Sequence, residues 1–161
     1  MKNKKAFTLI ELLIVIAIIA IIAGIVFVAL NPLARFAAAR TSRRWADASA
    51  IMTAIKVSQI DNGGSYVTSV AALQNGLTYM IGTSTNGGMQ ACSTTISTSS
   101  AVDLTALVTG GYLGSVPVSP NGNFTYYNGS TTGYTLTKAT SGLITITACD
   151  SESVPQPSVS R

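Results

Sequence analysis

One long apolar run constrains this chain more than any other feature. From Leu12 to Leu30, 19 consecutive residues are Leu, Ile, Val, Ala, Phe or Gly. As an α-helix, this run would be about 28 Å long at about 1.5 Å per residue, which is close to the hydrocarbon thickness of a bilayer. A cleaved secretory signal peptide normally has a shorter apolar region, of about 7–15 residues. The run therefore predicts a membrane-spanning helix rather than a signal peptide.

A single acid at the edge of this run is the next informative residue. Glu11 follows residues 7–10, Phe-Thr-Leu-Ile, so its carboxylate is embedded in apolar sequence. A carboxylate inside a bilayer costs several kcal/mol unless it is paired or protonated, and it marks a functional site by default. In an ordinary signal anchor, the side chain would simply reach the headgroup layer. The residues alone leave both interpretations open.

Residues 5–15, Lys-Ala-Phe-Thr-Leu-Ile-Glu-Leu-Leu-Ile-Val, resemble the class III signal of type IV prepilins and type II secretion pseudopilins. The resemblance implies that a prepilin peptidase cuts between Ala6 and Phe7 and methylates the new α-amino group of Phe7. It also implies that Glu11 pairs with the N-terminal amine of a neighbouring subunit and so sets the register of a filament. Most of the family has Gly before the cut; Ala6 is small enough for processing to be expected.

The net charge of the chain depends on this leader. Without residues 1–6, the count of Lys and Arg falls from 10 to 7 against 6 acids, so the formal charge falls from +4 to +1. The apparent basicity is therefore a targeting feature, and we expect no nucleic-acid partner.

A second basic group follows the apolar run and comprises Arg35, Arg40, Arg43 and Arg44. We expect these arginines on a solvated helix face; contact with lipid phosphates, with acidic groups of adjacent subunits or with DNA is the alternative. Because basic residues flank the run on both sides, charge does not fix its orientation. A C-terminal part outside the cell follows from the resemblance and from the cysteines.

A helix is predicted to continue beyond the run as far as about Asp61, where Asp-Asn-Gly-Gly is a stop signal. Its apolar stripe, expected to face a core, comprises Trp45, Ala48, Ile51, Met52 and Ile55.

Gly24 and Pro32 bear on the continuity of this helix. Proline removes a backbone donor and disfavours helix at the preceding residue, which predicts a kink between Gly24 and Pro32. Alternatively, Pro32 occupies the first turn of a second helix, where proline is tolerated. The sequence favours neither.

The polar C-terminal half predicts a small β domain. Alternating β-branched and aromatic residues at 124–127, 134–137 and 143–149 predict a three-stranded antiparallel meander over the helix stripe. Residues 107–127 also resemble, more weakly, a stretch of pseudopilins in which acidic residues bind calcium. Ser119 stands where an acid is expected, so we predict no metal site. The tail after Cys149 has no apolar pattern and predicts no regular structure.

Two cysteines, Cys92 and Cys149, lie in this polar half. In an exported domain they are expected to form one disulfide; two buried free thiols are the alternative. The chain has no histidine, no paired-carboxylate motif and no phosphate-binding loop, so we predict no enzymatic activity and no cofactor.

Together these features predict an α+β, pilin-like fold in four parts. They are a leader (1–6), a transmembrane and filament-core helix (7–31), an amphipathic helical half (32–62) and a Ser/Thr/Gly-rich antiparallel β head with a C-terminal tail (63–161). The resemblance implies a subunit, expected to be a major pilin, of a type IV pilus; adhesion is the expected role, and motility or DNA uptake stay open. It implies a location in the cytoplasmic membrane, with the head outside, and then in an extracellular filament.

The partners implied are identical subunits in a helical filament, the prepilin peptidase, the pilus assembly platform and, before assembly, the membrane. A pseudopilin of type II secretion or DNA uptake is the nearest alternative function. A monomeric, signal-anchored surface binding protein is an alternative of another class.

Overall fold

A computed structural model describes residues 7–85, 96–97, 101–120, 127–150, 152 and 155–161. Its contacts divide the chain into two compact units, Met1–Phe36 and Ala37–Arg161. A long N-terminal helical stretch and a small four-stranded antiparallel sheet confirm the predicted α+β, pilin-like layout. In chain order, the elements are α1 (Leu9–Leu30), α2 (Pro32–Asp61), α3 (Thr68–Ala71), β1 (Thr78–Met80), α4 (Thr105–Thr109), β2 (Tyr134–Lys138), β3 (Ile144–Ala148) and β4 (Ser158–Ser160).

The interruption between α1 and α2 lies at Asn31. Its backbone is left-handed, with φ 40° and ψ 69°, which asparagine tolerates better than most residues other than glycine. The conformation ends α1, and Pro32 then occupies the first position of α2, where its missing N–H has no helical partner to lose. Gly24 lies inside α1, which is helical on both sides of it. A bend at Gly24 or Pro32 in an assembled filament stays a prediction.

One face of α2 is buried, and this face is shifted slightly around the helix axis from the predicted apolar stripe. Ala48, Ile51 and Ile55 are buried as predicted, but Trp45 is 41% exposed and Arg44 is fully buried instead. Positions 44, 48, 51 and 55 share one face of a helix, which leaves position 45 at its edge. The placement of Trp45 in the core and of Arg44 on a solvated face was therefore wrong.

The sheet has the strand order β1-β2-β3-β4, and each neighbouring pair is antiparallel. β2 and β3 form a hairpin at the two later strands predicted from the alternation, with Tyr134 opposite Ala148 and Lys138 opposite Ile144. The first predicted strand, at 124–127, falls mostly outside the described residues; Tyr127 is described, is buried and is not in a strand.

The C-terminal tail contains β4, so the expectation that it lacks regular structure was wrong. Ser158, Val159 and Ser160 pair with the outer edge of β3. The two serine hydroxyls lie 3.2 and 3.0 Å from the hydroxyls of Thr147 and Thr145, respectively. Such cross-strand hydroxyl pairs stabilise an edge strand that has little apolar surface to bury.

The core of the second unit is one apolar cluster, to which the buried face of α2 and one face of the sheet both contribute. In β3, Ile144, Ile146 and Ala148 are buried, whereas the alternating threonines are only half-buried. Burying each large aliphatic side chain contributes about 1.5–3 kcal/mol. The sheet and α2 are thus held together mainly by apolar burial.

Candidate functional site

The N-terminus of α1 carries the first candidate group. Thr8 is the N-cap, and its hydroxyl accepts a hydrogen bond from the Glu11 amide at 3.3 Å. The Glu11 carboxylate accepts in return from the Thr8 amide and from its hydroxyl, both at 2.8 Å through Oε2. This capping box holds the carboxylate over the first turn, about one helical turn from Phe7. Phe7 itself is 81% exposed, and Ala6 lies outside the described residues.

This arrangement supplies part of what the register role of Glu11 needs. Thr8 fixes the rotamer of the carboxylate, while Oε1 has no hydrogen bond to any described residue. A carboxylate oriented in this way presents an acceptor to an incoming ammonium group. Pairing of Glu11 with a neighbour's Phe7 amine involves a second chain and stays a prediction.

The side chains of α1 form a continuous apolar surface. None of its 22 residues is buried, and its large side chains include Leu9 at 81% and Val28 at 79% exposure. Among the described residues, one helical stretch is long and apolar enough to cross a membrane, and α1 is its apolar part. Apolar surface of this extent requires lipid or other helices around it.

The second candidate site is a cluster of charged residues in the unit Ala37–Arg161, which is called the head from here on. The cluster lies at the N-terminal half of α2. Arg40 binds Glu152 through two groups: Nε lies 3.0 and 2.8 Å from the two carboxylate oxygens, and Nη2 lies 2.8 Å from Oε1. The hydrogen bond to Glu152 raises the pKa of Arg40, which therefore stays charged. Nη1 of Arg44 lies 3.7 Å from the other oxygen, Oε2.

Arg44 also donates hydrogen bonds to the loop at Ser119 and Pro120. Its Nε donates to Ser119 Oγ at 3.1 Å, and its Nη2 donates to the Pro120 carbonyl at 2.9 Å. Ser119 is the residue that stands where the pseudopilin pattern has an acid, and here its hydroxyl faces a guanidinium. Among the residues that the structure describes, no group of three or more His, Cys, Asp or Glu could hold a metal ion.

Asp47, one turn further along α2, binds Tyr134 of β2. The tyrosine hydroxyl donates to Asp47 Oδ2 at 2.8 Å, and Arg43 Nε lies 3.8 Å from the same oxygen. Burial, followed by the hydrogen bond and charge of Asp47, raises the pKa of Tyr134. Arg43 is 71% exposed, so its pairing with Asp47 contributes little.

The four arginines are therefore not one solvated surface, as the sequence suggested. Arg44 is buried and Arg40 is paired with Glu152, which leaves Arg35 and Arg43 exposed. No signal in the sequence near Arg44 indicates its partners, because Ser119 and Glu152 are distant along the chain. This distribution removes much of the basic surface that a nucleic-acid site would require.

The structure describes one of the two cysteines of the predicted disulfide. Cys149 is fully buried and is not a free cysteine. Cys92 lies outside the described residues, so the pairing of Cys92 with Cys149 stays a prediction.

Comparison with known proteins bears on the N-terminal segment. Residues 1–27 match a family model described as the prokaryotic N-terminal methylation motif. No curated protein and no solved structure matches the chain. The matched segment contains the predicted leader, Phe7, the capping box of Glu11 and most of α1. The N-terminal segment of the chain therefore carries the methylation motif, which is the class III signal of type IV pilins and pseudopilins.

Proposed function

We propose that this protein is a structural subunit, the major pilin, of a type IV pilus and has no enzymatic activity. The observation that carries the proposal is the exposed apolar helix α1, which follows directly on the class III signal. Such a helix has two stable environments, a bilayer before assembly and a bundle of identical helices afterwards. A filament subunit needs both environments in turn.

Assembly would begin after a prepilin peptidase cleaves between Ala6 and Phe7 and methylates Phe7. The new ammonium group and the Glu11 carboxylate are each costly in an apolar core, so they favour the stagger in which they meet. Thr8 already orients that carboxylate. Head-to-tail contacts between identical subunits do not close on themselves and therefore extend as a helical filament.

In this proposal the head forms the surface of the filament. The subunit sits in the cytoplasmic membrane with its head outside until the assembly platform extracts it into the growing pilus. The four-stranded sheet and the buried face of α2 share one apolar core within the unit Ala37–Arg161. A Cys92–Cys149 disulfide would stabilise that unit in an oxidising compartment. Adhesion would be the role of the exposed head.

A pseudopilin of type II secretion or DNA uptake is the second candidate. The stretch from Leu107 to Tyr112, which resembles that group, forms α4 and the turn after it; Leu107 is fully buried and Tyr112 packs against the core. This segment is therefore part of the folded head. A pseudopilin would build a short fibre that does not extend far from the cell, which separates the two candidates experimentally.

Intact-mass measurement and N-terminal sequencing of protein from the membrane and from sheared surface material test the proposal. A chain that starts at methylated Phe7 and is abundant in sheared filaments supports the major pilin. The same processed chain confined to the envelope indicates the pseudopilin. An unprocessed chain starting at Met1 and confined to membranes refutes both and favours a monomeric anchored protein.

A Glu11→Gln variant tests the charge of this residue alone, because glutamine keeps the size of the side chain and can still accept hydrogen bonds from Thr8. We expect it to be processed normally but to be strongly depleted from sheared filaments. Unchanged assembly of Glu11→Gln would contradict the role of this charge in subunit register.

A further inference from the structure

The guanidinium of Arg44 occupies a fully buried position in the head. Arginine does not lose its proton in proteins, so the group is buried as a cation. Burying an isolated charge costs several kcal/mol, and a protein retains such a group only where other groups compensate it. The compensation around Arg44 therefore indicates what the residue does.

Two separate segments supply that compensation, through three groups that each present oxygen. They are a hydroxyl from Ser119 at 3.1 Å, the backbone carbonyl of Pro120 at 2.9 Å and the carboxylate of Glu152 at 3.7 Å. Hydroxyl, carbonyl and carboxylate oxygens are also the ligands with which proteins bind hard metal cations. The cation here belongs to α2 and is covalently part of the chain.

The surroundings keep these acceptors in place. Arg40 holds both carboxylate oxygens of Glu152, so Glu152 faces two arginines one helical turn apart. Ser119 is 2% exposed, and a Cβ added at Gly133 would lie only 2.8 Å from the Ser119 Cβ. The Ser119 side chain thus lies against the backbone at Gly133, just before β2, while its hydroxyl accepts from the guanidinium.

We propose that Arg44 is an internal cation that replaces a bound metal ion: it joins α2, the loop at Ser119–Pro120 and the C-terminal segment at Glu152 into one unit. The head then keeps this architecture at any concentration of divalent cations. Through Glu152, Arg44 also positions the segment that leads to β4. The proposal does not depend on whether the filament is a pilus or a pseudopilus.

Chemical rescue tests this role in the full-length mature protein in detergent micelles. Arg44→Ala removes the guanidinium from the Ser119 hydroxyl and the Pro120 carbonyl, while Glu152 keeps its contacts with Arg40. We expect amide hydrogen exchange in β4 and at Arg161 to become faster by about tenfold or more, because Glu152 then keeps only one of its two arginines and holds β4 less firmly. Methylguanidinium at millimolar concentration is expected to restore protection in a saturable way. Adding Glu152→Gln to Arg44→Ala is expected to weaken that rescue.

Two further variants keep the test decisive. Arg44→Met preserves most of the side-chain volume without the charge, and we expect it to lose protection in β4 as Glu152→Gln does. Arg43→Ala, at the exposed neighbouring position, is the matched control and is expected to leave exchange unchanged. If Arg44→Ala does not fold, the comparison of Arg44→Met with Glu152→Gln carries the test alone.

Three results would overturn the proposal. The first is wild-type exchange in Arg44→Met, which would mean that the side chain only fills space. The second is a folded Arg44→Ala variant that methylguanidinium does not rescue. The third is a wild-type protein whose melting temperature changes on adding calcium or a chelator, which would place a metal ion in the role assigned to Arg44.

Discussion

The hydrogen bond between Tyr134 and Asp47 yields a prediction in which both magnitude and pH dependence can be calculated. Tyr134→Phe removes one hydroxyl and leaves the ring in place on β2. The lost bond joins a buried donor to a carboxylate at 2.8 Å, and hydrogen bonds to charged groups contribute about 1.5–3 kcal/mol. We therefore expect the free energy of unfolding at neutral pH to fall by about 1.5–3 kcal/mol.

Burial of the Tyr134 hydroxyl, together with this bond, makes the difference between the two proteins depend on pH. Because the folded state raises the pKa of Tyr134, the stabilisation is complete below the ordinary tyrosine pKa of about 10 and is lost as pH rises above it. The advantage of wild type over Tyr134→Phe should thus be constant up to about pH 10 and then shrink by up to about 1.4 kcal/mol per pH unit. Other tyrosines are common to both proteins and cancel in the comparison.

Urea unfolding monitored by tryptophan fluorescence provides the assay. Trp45 is the chain's single tryptophan and lies on α2 two residues before Asp47, so it reports on this region. The measurement is repeated at several pH values on both proteins in the same detergent. A loss below about 0.5 kcal/mol at neutral pH would refute the assigned hydrogen bond, and a difference that stays constant through pH 11 would refute the raised pKa of the buried hydroxyl.

Three other changes test separate parts of the structure. Ile51→Ala is expected to destabilise the head by about 2–5 kcal/mol in urea unfolding, because Ile51 is fully buried; a loss below about 1 kcal/mol would contradict that burial. Gly133→Ala is expected to lower the melting temperature, since Gly133 has φ 79° and an added Cβ would collide with Ser119; an unchanged melting temperature would exclude this close approach. Reducing a Cys92–Cys149 disulfide is expected to cost about 4 kcal/mol, from the entropy of the loop it closes, and no effect of reductant would argue against the pairing.

Local sequence patterns predicted two kinds of element: a helix that is apolar all round, and a strand that buries one of its two faces. The apolar run defined α1, and the alternation of Ile144, Ile146 and Ala148 with threonines defined β3. These signals are local, because a period of 3.6 or 2 is visible within ten residues. β4 escaped prediction because it is an edge strand with two serines, held by cross-strand hydroxyls and backbone pairing that no local pattern indicates.

The charged cluster escaped prediction for a different reason. Whether an arginine is buried depends on whether acceptors reach it, and the acceptors of Arg44 lie 75 and 76 residues away along the chain. A local pattern containing Arg43 and Arg44 gives no reason to bury one and expose the other. The capping box of Thr8 and Glu11 is a local motif, since the two residues are three apart in sequence, yet it was not predicted either.

The internal pairing of arginines also affects how closely copies of this chain can approach. Without its leader, the chain has a formal charge of only +1, and Arg40 and Arg44 direct their charges towards Glu152 rather than towards solvent. In the proposed filament, neighbouring heads with this charge distribution would experience little long-range Coulomb repulsion, even where dilute salt extends the Debye length to about 30 Å. Lateral packing of such heads would therefore depend only weakly on salt concentration.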